Sequence, residues 1–510
     1  MKITNKNYLL SFCTTLIGGV LVHLYLLLNN CISPDALAIG ELYIAGNWER
    51  SLGRWGIGFV DKLRFGIVNK YLIIIASLVL LALTAVIICK LFDLKSKKCI
   101  ILVSLLICVS PCVSETFLYT YCSDSYLFSL FMATLTVVLL KGNNRNMKIL
   151  SILTCIISLS LYQAYISVTL TLILMTFIFD LIQNKNWKNE LISLLKELML
   201  VAIAMVAYFA ITLIVLKIYN LSFASYKGAD SLGIMSILNN LVYTIPDSYR
   251  ACFSYLFKND IIYNSYLKRN VFNIILILLT LFNFILNIKK FKINGLNILF
   301  VLISLILLPI AINFIAIIMP STRINLVTGT ALQLIYIFIL IINFYLLDKN
   351  TIIEKTYNVV LIIVLLRIII SFCISDNATY LCREEVYRNY YSTANSIYSL
   401  LVNNEDFSSD KKVLISDNIR FVSRFKNYAN GMISNDFETW DNIDGIWHNY
   451  QFFDRYLGVK LNMCTKEDYY NITEMQEFKD MPSYPSKNCV KTINDILVVK
   501  IDENVYEKNE

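Results

Sequence analysis

Residues 71–92 read YLIIIASLVLLALTAVIICKLF, an apolar run in which Lys90 is the only charged residue. A helix rises about 1.5 Å per residue, so this run is long enough to cross the roughly 30 Å hydrocarbon core of a bilayer. Similar runs recur along the chain, and 57% of its 510 residues are hydrophobic, above the roughly 45–50% of soluble domains. The composition therefore predicts a polytopic membrane protein.

The apolar runs predict about eleven membrane-spanning helices. These cover residues 8–28, 71–92, 98–112, 124–140, 148–161, 163–182, 198–219, 271–288, 296–317, 324–347 and 356–374. We expect them to form an all-α transmembrane domain over residues 1–375, with large loops at 29–70 and 220–270. Within the second loop, SILNNLVYTIPDSYRACFSYLF has helical periodicity and interleaved tyrosines. This pattern favours a helix lying in the membrane interface, with a re-entrant hairpin as the alternative.

Residues 376–510 lose the long apolar runs and are richer in Asp, Asn, Tyr and Lys. We expect a small C-terminal α+β domain, with an amphipathic helix over 380–402 and strands within 411–417 and 495–502. Cys464 and Cys489 lie in this polar region and could form a disulfide if the domain is extracytoplasmic.

The short loops give the orientation in the membrane. Five alternate loops, nearly all with a surplus of Lys and Arg over Asp and Glu, lie at residues 93–98, 141–148, 184–197, 289–294 and 348–355. Basic short loops remain in the cytoplasm. The N-terminus is therefore expected to be cytoplasmic, with both large loops and the C-terminal domain outside.

The first outer loop contains SPDALAIGELYIAGNWERSLGRWGIGFVDKLR at residues 33–64. Asp35 follows the first predicted span, where a carboxylate can act as general base for a hydroxyl acceptor. The alternative for Asp35 is a helix N-cap. Glu41, six residues further on, is the second candidate for a catalytic carboxylate, or a solvated interfacial acid.

Later in this loop, Arg54 and Trp55 lie between Gly53 and Gly56. The planar fork of Arg54 suits a phosphate group. Trp55 is expected to stack on a sugar ring or to anchor the loop at the lipid headgroups. Asp61 and Lys62 are adjacent and cannot face each other on a helix, so we expect them to be surface charges.

Four further polar residues are expected at outer ends of the predicted spans. Asp124 stands where the chain re-enters the membrane, where a charge is costly unless it is paired or hydrated. Asp124, Tyr162 and Gln163 are candidates for binding sugar or acceptor, although Asp124 could simply cap its helix. Arg323 is a second candidate for the donor phosphate, or a snorkelling interfacial residue.

Motifs for several other chemistries are missing from the sequence. There are only two histidines, His23 and His448, and no Walker loop, GxGxxG after a strand or GxSxG. We therefore expect no metal site, no cofactor and no nucleic-acid partner.

Six segments together resemble a known family. They are SPDAL (33–37), GRWGIGFVDKL (53–63), YCSDSYLFSLFMATLTVVLL (121–140), SLSLYQAYISV (158–168), STRIN (321–325) and MPSYPSKNCVKTINDILVVKID (481–502). In this order the chain resembles the GT-C membrane glycosyltransferases, and more closely the bacterial serotype-converting O-antigen glucosyltransferases of Gtr type II.

The resemblance implies an enzyme of the bacterial inner membrane that uses undecaprenyl-phosphate glucose as donor. The glucosyl group would pass to a hydroxyl of a lipid-linked glycan such as O-antigen, a modification of lipopolysaccharide, at the outer face. Asp35 would be the general base, and Arg54 or Arg323 would stabilise the donor phosphate. The competing interpretations are a transporter or flippase of lipid-linked oligosaccharide, and a polymerase of the same glycans.

Overall fold

The structure is a computed structural model. It describes residues 5–501 except 32, 227–233, 263, 265–266, 289–292, 320–323, 348–351, 418, 420–422 and 431–442.

Twenty-one α-helices occur in the part of the chain that the structure describes. They are α1 (Asn5–Val22), α2 (Leu24–Leu28), α3 (Pro34–Ile39), α4 (Asn47–Ser51), α5 (Ile57–Leu63), α6 (Lys70–Leu91), α7 (Lys97–Cys108), α8 (Pro111–Leu118), α9 (Ser123–Leu140), α10 (Arg145–Leu161), α11 (Ile166–Ile182), α12 (Trp187–Ile218), α13 (Ile234–Phe257), α14 (Arg269–Ile288), α15 (Gly295–Ile312), α16 (Phe314–Ile318), α17 (Thr330–Leu346), α18 (Ile352–Val402), α19 (Ile443–Phe452), α20 (Lys466–Glu474) and α21 (Gln476–Lys479).

Every predicted span overlaps a helix, although the span predicted at 324–347 becomes helical only from Thr330. Among the described residues, eight helices have the length and composition to cross a membrane, and two shorter apolar helices, Lys6–Val22 and Thr330–Leu346, accompany them. The mostly helical fold is confirmed, whereas the count of about eleven spans remains a prediction.

Asparagine side chains begin four of the long helices. The side chains of Asn69, Asn144, Asn186 and Asn294 accept hydrogen bonds from backbone N–H groups in the first turns of α6, α10, α12 and α15. Such caps satisfy backbone donors that have no partner within the helix. The polar residues between apolar runs therefore determine where these helices begin.

The helical segment at the predicted span 98–112 extends to Leu118 and is interrupted once. Helix α7 ends at Cys108, and α8 begins at Pro111, the first position of the new helix. Proline has no N–H to donate and is favoured at the first position of a helix, so the second segment begins at Pro111. In the 220–270 loop the predicted helix is present as α13, which contains Pro246.

The chain divides into two compact units. The first unit contains the residues up to Leu27 together with Glu41–Asn377, and the second contains Leu28–Gly40 together with the residues from Ala378 onward. The segment Leu28–Gly40, which was expected to belong to the loop of the membrane domain, is therefore part of the C-terminal unit. Within the first unit, α9 packs on α6 and α10, while α11 packs on α12, α15 and α17.

The second unit is built on a four-stranded sheet of order β2-β1-β4-β3. Its strands are β1 (Lys412–Ile415), β2 (Asn462–Met463), β3 (Val490–Ile493) and β4 (Ile496–Val499). The β1 strand is parallel to β2 and β4, and β3 is antiparallel to β4. Asn494 and Asp495 join β3 to β4 with φ of 49° and 63°, as a two-residue type I′ turn requires.

The predicted strands within 411–417 and 495–502 correspond to β1 and β4, while β2 and β3 were not predicted. The helix predicted over 380–402 is the second half of α18 and continues without a break from the predicted span at 356–374.

The predicted disulfide is wrong, since Cys464 and Cys489 are both free and buried. Cys489 packs in a core with Val413 and Leu497, whereas Cys464 packs in another core with Leu414 and Val498. Successive strand residues point to opposite faces of a sheet, so the two thiols lie on different faces.

Candidate active site

The loop between α3 and α6 closes on itself at its base. Leu42 and Ile67 form an isolated antiparallel bridge, the Tyr43 N–H donates to the Gly66 carbonyl at 2.7 Å, and the Val68 N–H donates to the Glu41 carbonyl at 2.8 Å. We call residues 41–68 the closed loop. Its ends are held by backbone hydrogen bonds, so its side chains are presented from a defined frame.

Two glycines bring the closed loop against the helices of the first unit. Gly53 has φ of +78°, and a Cβ there would lie 2.4 Å from the Tyr208 hydroxyl and 3.0 Å from Gln163 Nε2. A Cβ on Gly56 would lie 2.3 Å from Ser160 Oγ, and the Gly56 N–H donates to the Ser160 carbonyl at 2.9 Å. The two glycines are therefore needed for close approach of the backbone.

Arg54, between these glycines, is held from three directions. Its Nε donates to Gln163 Oε1 at 3.3 Å, its Nη1 donates to the Tyr126 hydroxyl at 3.2 Å, and its guanidinium carbon lies 5.0 Å from the centre of the Tyr162 ring. The Tyr126 and Tyr162 rings are stacked with centroids 4.1 Å apart. Hydrogen bonds from the charged guanidinium to neutral acceptors, together with its contact with an aromatic face, keep its orientation fixed.

The groups around Arg54 are held in turn. Gln163 Nε2 donates to the Leu52 carbonyl at 2.7 Å and to the Tyr208 hydroxyl at 2.8 Å. The Tyr208 hydroxyl donates to the Gly53 carbonyl at 2.9 Å. The closed loop, the short helical turn Gln163–Tyr165 that precedes α11, and α12 are thereby joined in one polar network.

This network forms one side of a cavity of about 200 Å³. Arg54, Tyr162, Gln163, Tyr208 and Thr212 supply polar groups. The rest of the wall is mainly apolar and includes Met205, Phe209, Phe223, Ile315, Ile318 and Met319. A cavity with one guanidinium and an otherwise largely apolar wall suits a ligand with an anionic head and a hydrocarbon chain.

A second charged cluster joins the closed loop to α9. Arg64 Nη2 contacts Asp61 Oδ1 at 2.5 Å, and Arg64 Nη1 forms an ion pair with Asp124. The Ala45 N–H donates to Asp61 Oδ2 at 2.7 Å. Asp61 is 0% exposed, so its assignment as a surface charge is wrong. It is buried because the loop folds back over α5 and provides two donors for the carboxylate.

The position of Asp61 changes its protonation. Burial raises the pKa of Asp61 from 3.8 to about 6, an effect that the Ala45 N–H and Arg64 oppose and the Asp124 charge supports. Asp61 shares the Arg64 guanidinium with Asp124, so Arg64 offsets only part of the effect of burial on Asp61. The cluster fixes the start of α9, which also carries Tyr126, the partner of Arg54.

The site residues that the sequence predicted lie in different parts of the structure. Arg54, Tyr162 and Gln163 line one cavity. Trp55 Nε1 donates to Thr212 Oγ1 at 3.2 Å, so the indole lies beside a residue of the cavity wall. Asp124 lies in the first turn of α9 and pairs with Arg64 instead of acting as the N-cap. Arg323 lies outside the described residues.

The two candidate carboxylates belong to different units. Asp35 lies in α3 of the second unit and is half-buried, while Ser33 is the N-cap and accepts from the Ala36 N–H at 3.2 Å. The N-cap alternative for Asp35 is therefore wrong. Glu41 is exposed at the base of the closed loop in the first unit.

Tyr126, Tyr208 and Arg64 were not recognised from the sequence as parts of the site. A weak signal existed for two of them. Tyr208 interrupts the long apolar run of α12, and the burial expected for Asp124 required a basic partner, which is Arg64. Nothing in the pattern distinguished Tyr126 from the other tyrosines near it.

The fold defines a helical membrane protein, and its first unit contains a cavity lined by Arg54 and mainly apolar residues. Residues 24–341, more than half of the chain, match a family model described as Glucosyl transferase GtrII. The chain belongs to this Glucosyl transferase GtrII family, and it is a glycosyltransferase. No curated protein and no solved structure gave a match.

Gly53→Ala is expected to destabilise the protein by about 1–3 kcal/mol, the cost of a non-glycine residue in a disfavoured backbone region. The new methyl group also meets the Tyr208 hydroxyl, so the Arg54 network should shift and transferase activity should fall. Thermal unfolding of the detergent-solubilised protein measures the first effect. The control is Gly46→Ala, since Gly46 has φ of −115° and its nearest atom would be 4.0 Å away. Equal stability of the two variants would contradict this account of the loop.

Asp61→Asn is expected to change how stability depends on pH. The pKa of Asp61 in the fold, about 6, is above its ordinary value of 3.8, so the folded protein holds this proton more tightly than the unfolded chain. The resulting stabilisation is complete below pH 3.8 and is lost as the pH rises through about 6. Between about pH 5 and pH 8, the melting temperature of the wild type should therefore fall relative to that of Asp61→Asn. Parallel curves for the two proteins would show that Arg64 fully compensates the carboxylate.

Proposed function

We propose that this glycosyltransferase moves a glucosyl group from polyprenyl-phosphate glucose to a hydroxyl of a lipid-linked surface polysaccharide such as O-antigen. The reaction would take place at the outer face of the bacterial inner membrane. Membership of the family supports glucose as the sugar. The observation that carries the choice of donor is the cavity, because it combines the Arg54 guanidinium with a mainly apolar wall.

The proposed reaction is a single displacement at the anomeric carbon. Asp35 accepts the proton of the acceptor hydroxyl, with Glu41 as the second candidate for this role. The acceptor oxygen forms a bond to the anomeric carbon as the bond from that carbon to the phosphate oxygen breaks. The electron pair of the broken bond leaves with the polyprenyl phosphate.

Negative charge increases on the phosphate as it leaves. A guanidinium that is already oriented stabilises this charge without further rearrangement, and Arg54 is held in this way by Gln163 and Tyr126. Arg323 is proposed as a second phosphate ligand. We also propose that Tyr162, Gln163 and Trp55 contact the sugar or acceptor. Asp124 is a further candidate for this contact, and its pair with Arg64 holds its carboxylate in position.

The topology belongs to the same proposal. Four basic short loops, at residues 93–98, 141–148, 184–197 and 289–294, support a cytoplasmic N-terminus and an extracytoplasmic C-terminal unit. The apolar residues exposed on α12, which include Val206, Ile214 and Ile218, support contact with membrane lipids.

The test uses the full-length protein, purified and reconstituted in lipid nanodiscs, with a lipid-linked glycan acceptor. Radiolabelled glucose is supplied in parallel as polyprenyl-phosphate glucose and as a nucleoside-diphosphate glucose. We expect label to reach the acceptor only from the polyprenyl-phosphate donor. Transfer from the nucleotide sugar alone would overturn the donor assignment.

The same preparation tests the other two activities. A polyprenyl-diphosphate oligosaccharide is supplied as donor, and its transfer to the acceptor would indicate a polymerase. In sealed vesicles, movement of the labelled lipid across the bilayer without glycosidic bond formation would indicate a transporter. Either result, without glucosyl transfer, would contradict the proposal.

A further inference from the structure

The helix that carries Asp35 is built into the core of the C-terminal unit. The segment Leu28–Gly40 belongs to the same compact unit as the residues from Ala378 onward. Leu37 is 1% exposed and packs in the core that contains Tyr390, Phe452 and Phe453. A helix of six residues is too short to be stable alone, so this packing maintains the helical conformation around Asp35.

Arg455 contacts the end of the same helix. Its Nη2 donates to the Ala38 carbonyl at 3.0 Å, and its Nη1 donates to the Ala36 carbonyl at 3.4 Å. The last carbonyls of a helix have no partner within the helix, and a basic side chain can satisfy them. Arg455 therefore holds the carbonyl end of α3 by two backbone atoms that flank Leu37.

The backbone has an unusual conformation on both sides of the contact between Arg455 and α3. Gly40 ends α3 with φ of +88°, and a Cβ on Gly40 would lie 2.8 Å from Arg455 Nη2. Arg455 itself comes from a π-helical turn, Phe453–Leu457, which ends at Gly458 with φ of +67°. Such turns alter the direction of side chains and are frequent at functional sites.

The other end of α3 is also held. Ser33 caps the helix through the Ala36 N–H, and the Cys31 thiol donates to the Tyr380 carbonyl at 3.3 Å. Residues of one unit therefore hold the backbone around Asp35 at both ends of α3 and through the buried side chain of Leu37.

We infer that the C-terminal unit orients the Asp35 carboxylate and that Arg455 is a positioning residue for the transfer reaction. This inference rests on the proposed function, in which Asp35 is the general base. Arg455 acts through the α3 backbone and is not itself a catalytic residue. Loss of its two contacts should let α3 shift, and small errors in the position of a catalytic group are costly.

The experiment combines kinetics with hydrogen exchange on the full-length protein in nanodiscs. Arg455→Ala should lower kcat by about 10- to 10²-fold with little change in the KM for polyprenyl-phosphate glucose, and Arg455→Lys should recover part of the loss. Hydrogen exchange of a peptide that covers residues 33–40 should accelerate in Arg455→Ala. The matched control is Arg424→Ala, which removes an exposed arginine that pairs with Glu385 in the same unit.

A double-mutant cycle separates positioning from a general structural effect. If Arg455 acts through Asp35, the Arg455→Ala loss should largely disappear in an Asp35→Asn background. Full additivity of the two losses would overturn the inference, as would unchanged kcat and exchange in Arg455→Ala while Asp35→Asn is inactive. Normal activity of Asp35→Asn would instead contradict the proposed base.

Gly40→Ala provides a second route if Arg455→Ala does not fold. The new methyl group should displace the guanidinium while the charge is kept. We expect faster exchange of residues 33–40, a lower kcat and a lower melting temperature, because a non-glycine residue at this positive φ is also strained. Unchanged exchange and kcat in both Gly40→Ala and Arg455→Lys would count against positioning by Arg455.

Discussion

Replacing Asp35 by asparagine is expected to lower kcat for glucosyl transfer by about 10²- to 10⁴-fold, the usual contribution of a general base. Asparagine keeps the size of the side chain but cannot accept the proton of the acceptor hydroxyl. The KM for the donor should change little, because the proposed donor contacts lie with Arg54. Initial rates with polyprenyl-phosphate glucose and a lipid-linked glycan acceptor measure both constants.

The control for this variant is Asp410→Asn, which changes an exposed aspartate of the same unit and should leave kcat near the wild-type value. Glu41→Gln is measured in parallel, since Glu41 is the second carboxylate candidate. A large loss in Glu41→Gln with a normal rate in Asp35→Asn would transfer the role of base to Glu41. Normal rates in both single variants would show that neither carboxylate is the general base.

Replacing Arg54 by alanine is expected to lower kcat by about 10²- to 10³-fold, the loss seen when one oriented group that stabilises developing charge is removed. The variant lacks the guanidinium and leaves Gln163 Oε1 and the Tyr126 hydroxyl without this donor. The kcat of Arg54→Lys should lie between those of the wild type and Arg54→Ala, because lysine keeps the charge but lacks the planar fork that reaches both partners. Steady-state kinetics and equilibrium binding of polyprenyl phosphate measure the effects.

Arg50→Ala is the matched control for Arg54. Arg50 lies in the same closed loop, but its guanidinium contacts Asn47 Oδ1 and the ring of Tyr219 and does not line the cavity. We expect near-normal kcat and phosphate binding in Arg50→Ala. If Arg54→Ala binds polyprenyl phosphate and turns over like the wild type, the cavity is not the donor site.

Residues 53–56 of the closed loop show that a sequence motif does not reveal the function of each of its residues. The four residues Gly53 to Gly56 were recognised as polar and unusual from the sequence. Their function in the fold is different for each residue: the glycines permit close approach of the backbone, Arg54 enters the cavity, and Trp55 contacts Thr212 beside it. Composition indicates the chemistry that is available, but contacts determine which side chain supplies it.

Several features of the fold were predictable because they depend on residues close together in the chain. Apolar runs such as 71–92 become helices whatever surrounds them, since a backbone in hydrocarbon must satisfy its own hydrogen bonds. The strands within 411–417 and 495–502 likewise follow from local pattern. The family resemblance rested on ordered local segments, and the family match over residues 24–341 confirmed it.

Other features depended on residues far apart and could not be predicted. The burial of Asp61 requires Arg64 to reach Asp124, which lies sixty positions further along the chain. The two cysteines of the C-terminal unit were equally plausible partners until the sheet placed them on different faces. Pairing of this kind is a property of packing, and no local pattern encodes it.

Hydrophobic length and charge act locally on the chain, and they were sufficient to predict a helical membrane protein with a polar loop after its first span. Tertiary structure alone decided that Arg54, Gln163 and Tyr208 share one cavity, and that the segment with Asp35 belongs to the C-terminal unit. These groupings bring together residues that are between 45 and several hundred positions apart in the chain. They are stabilised by buried contacts that exist only after the chain has folded.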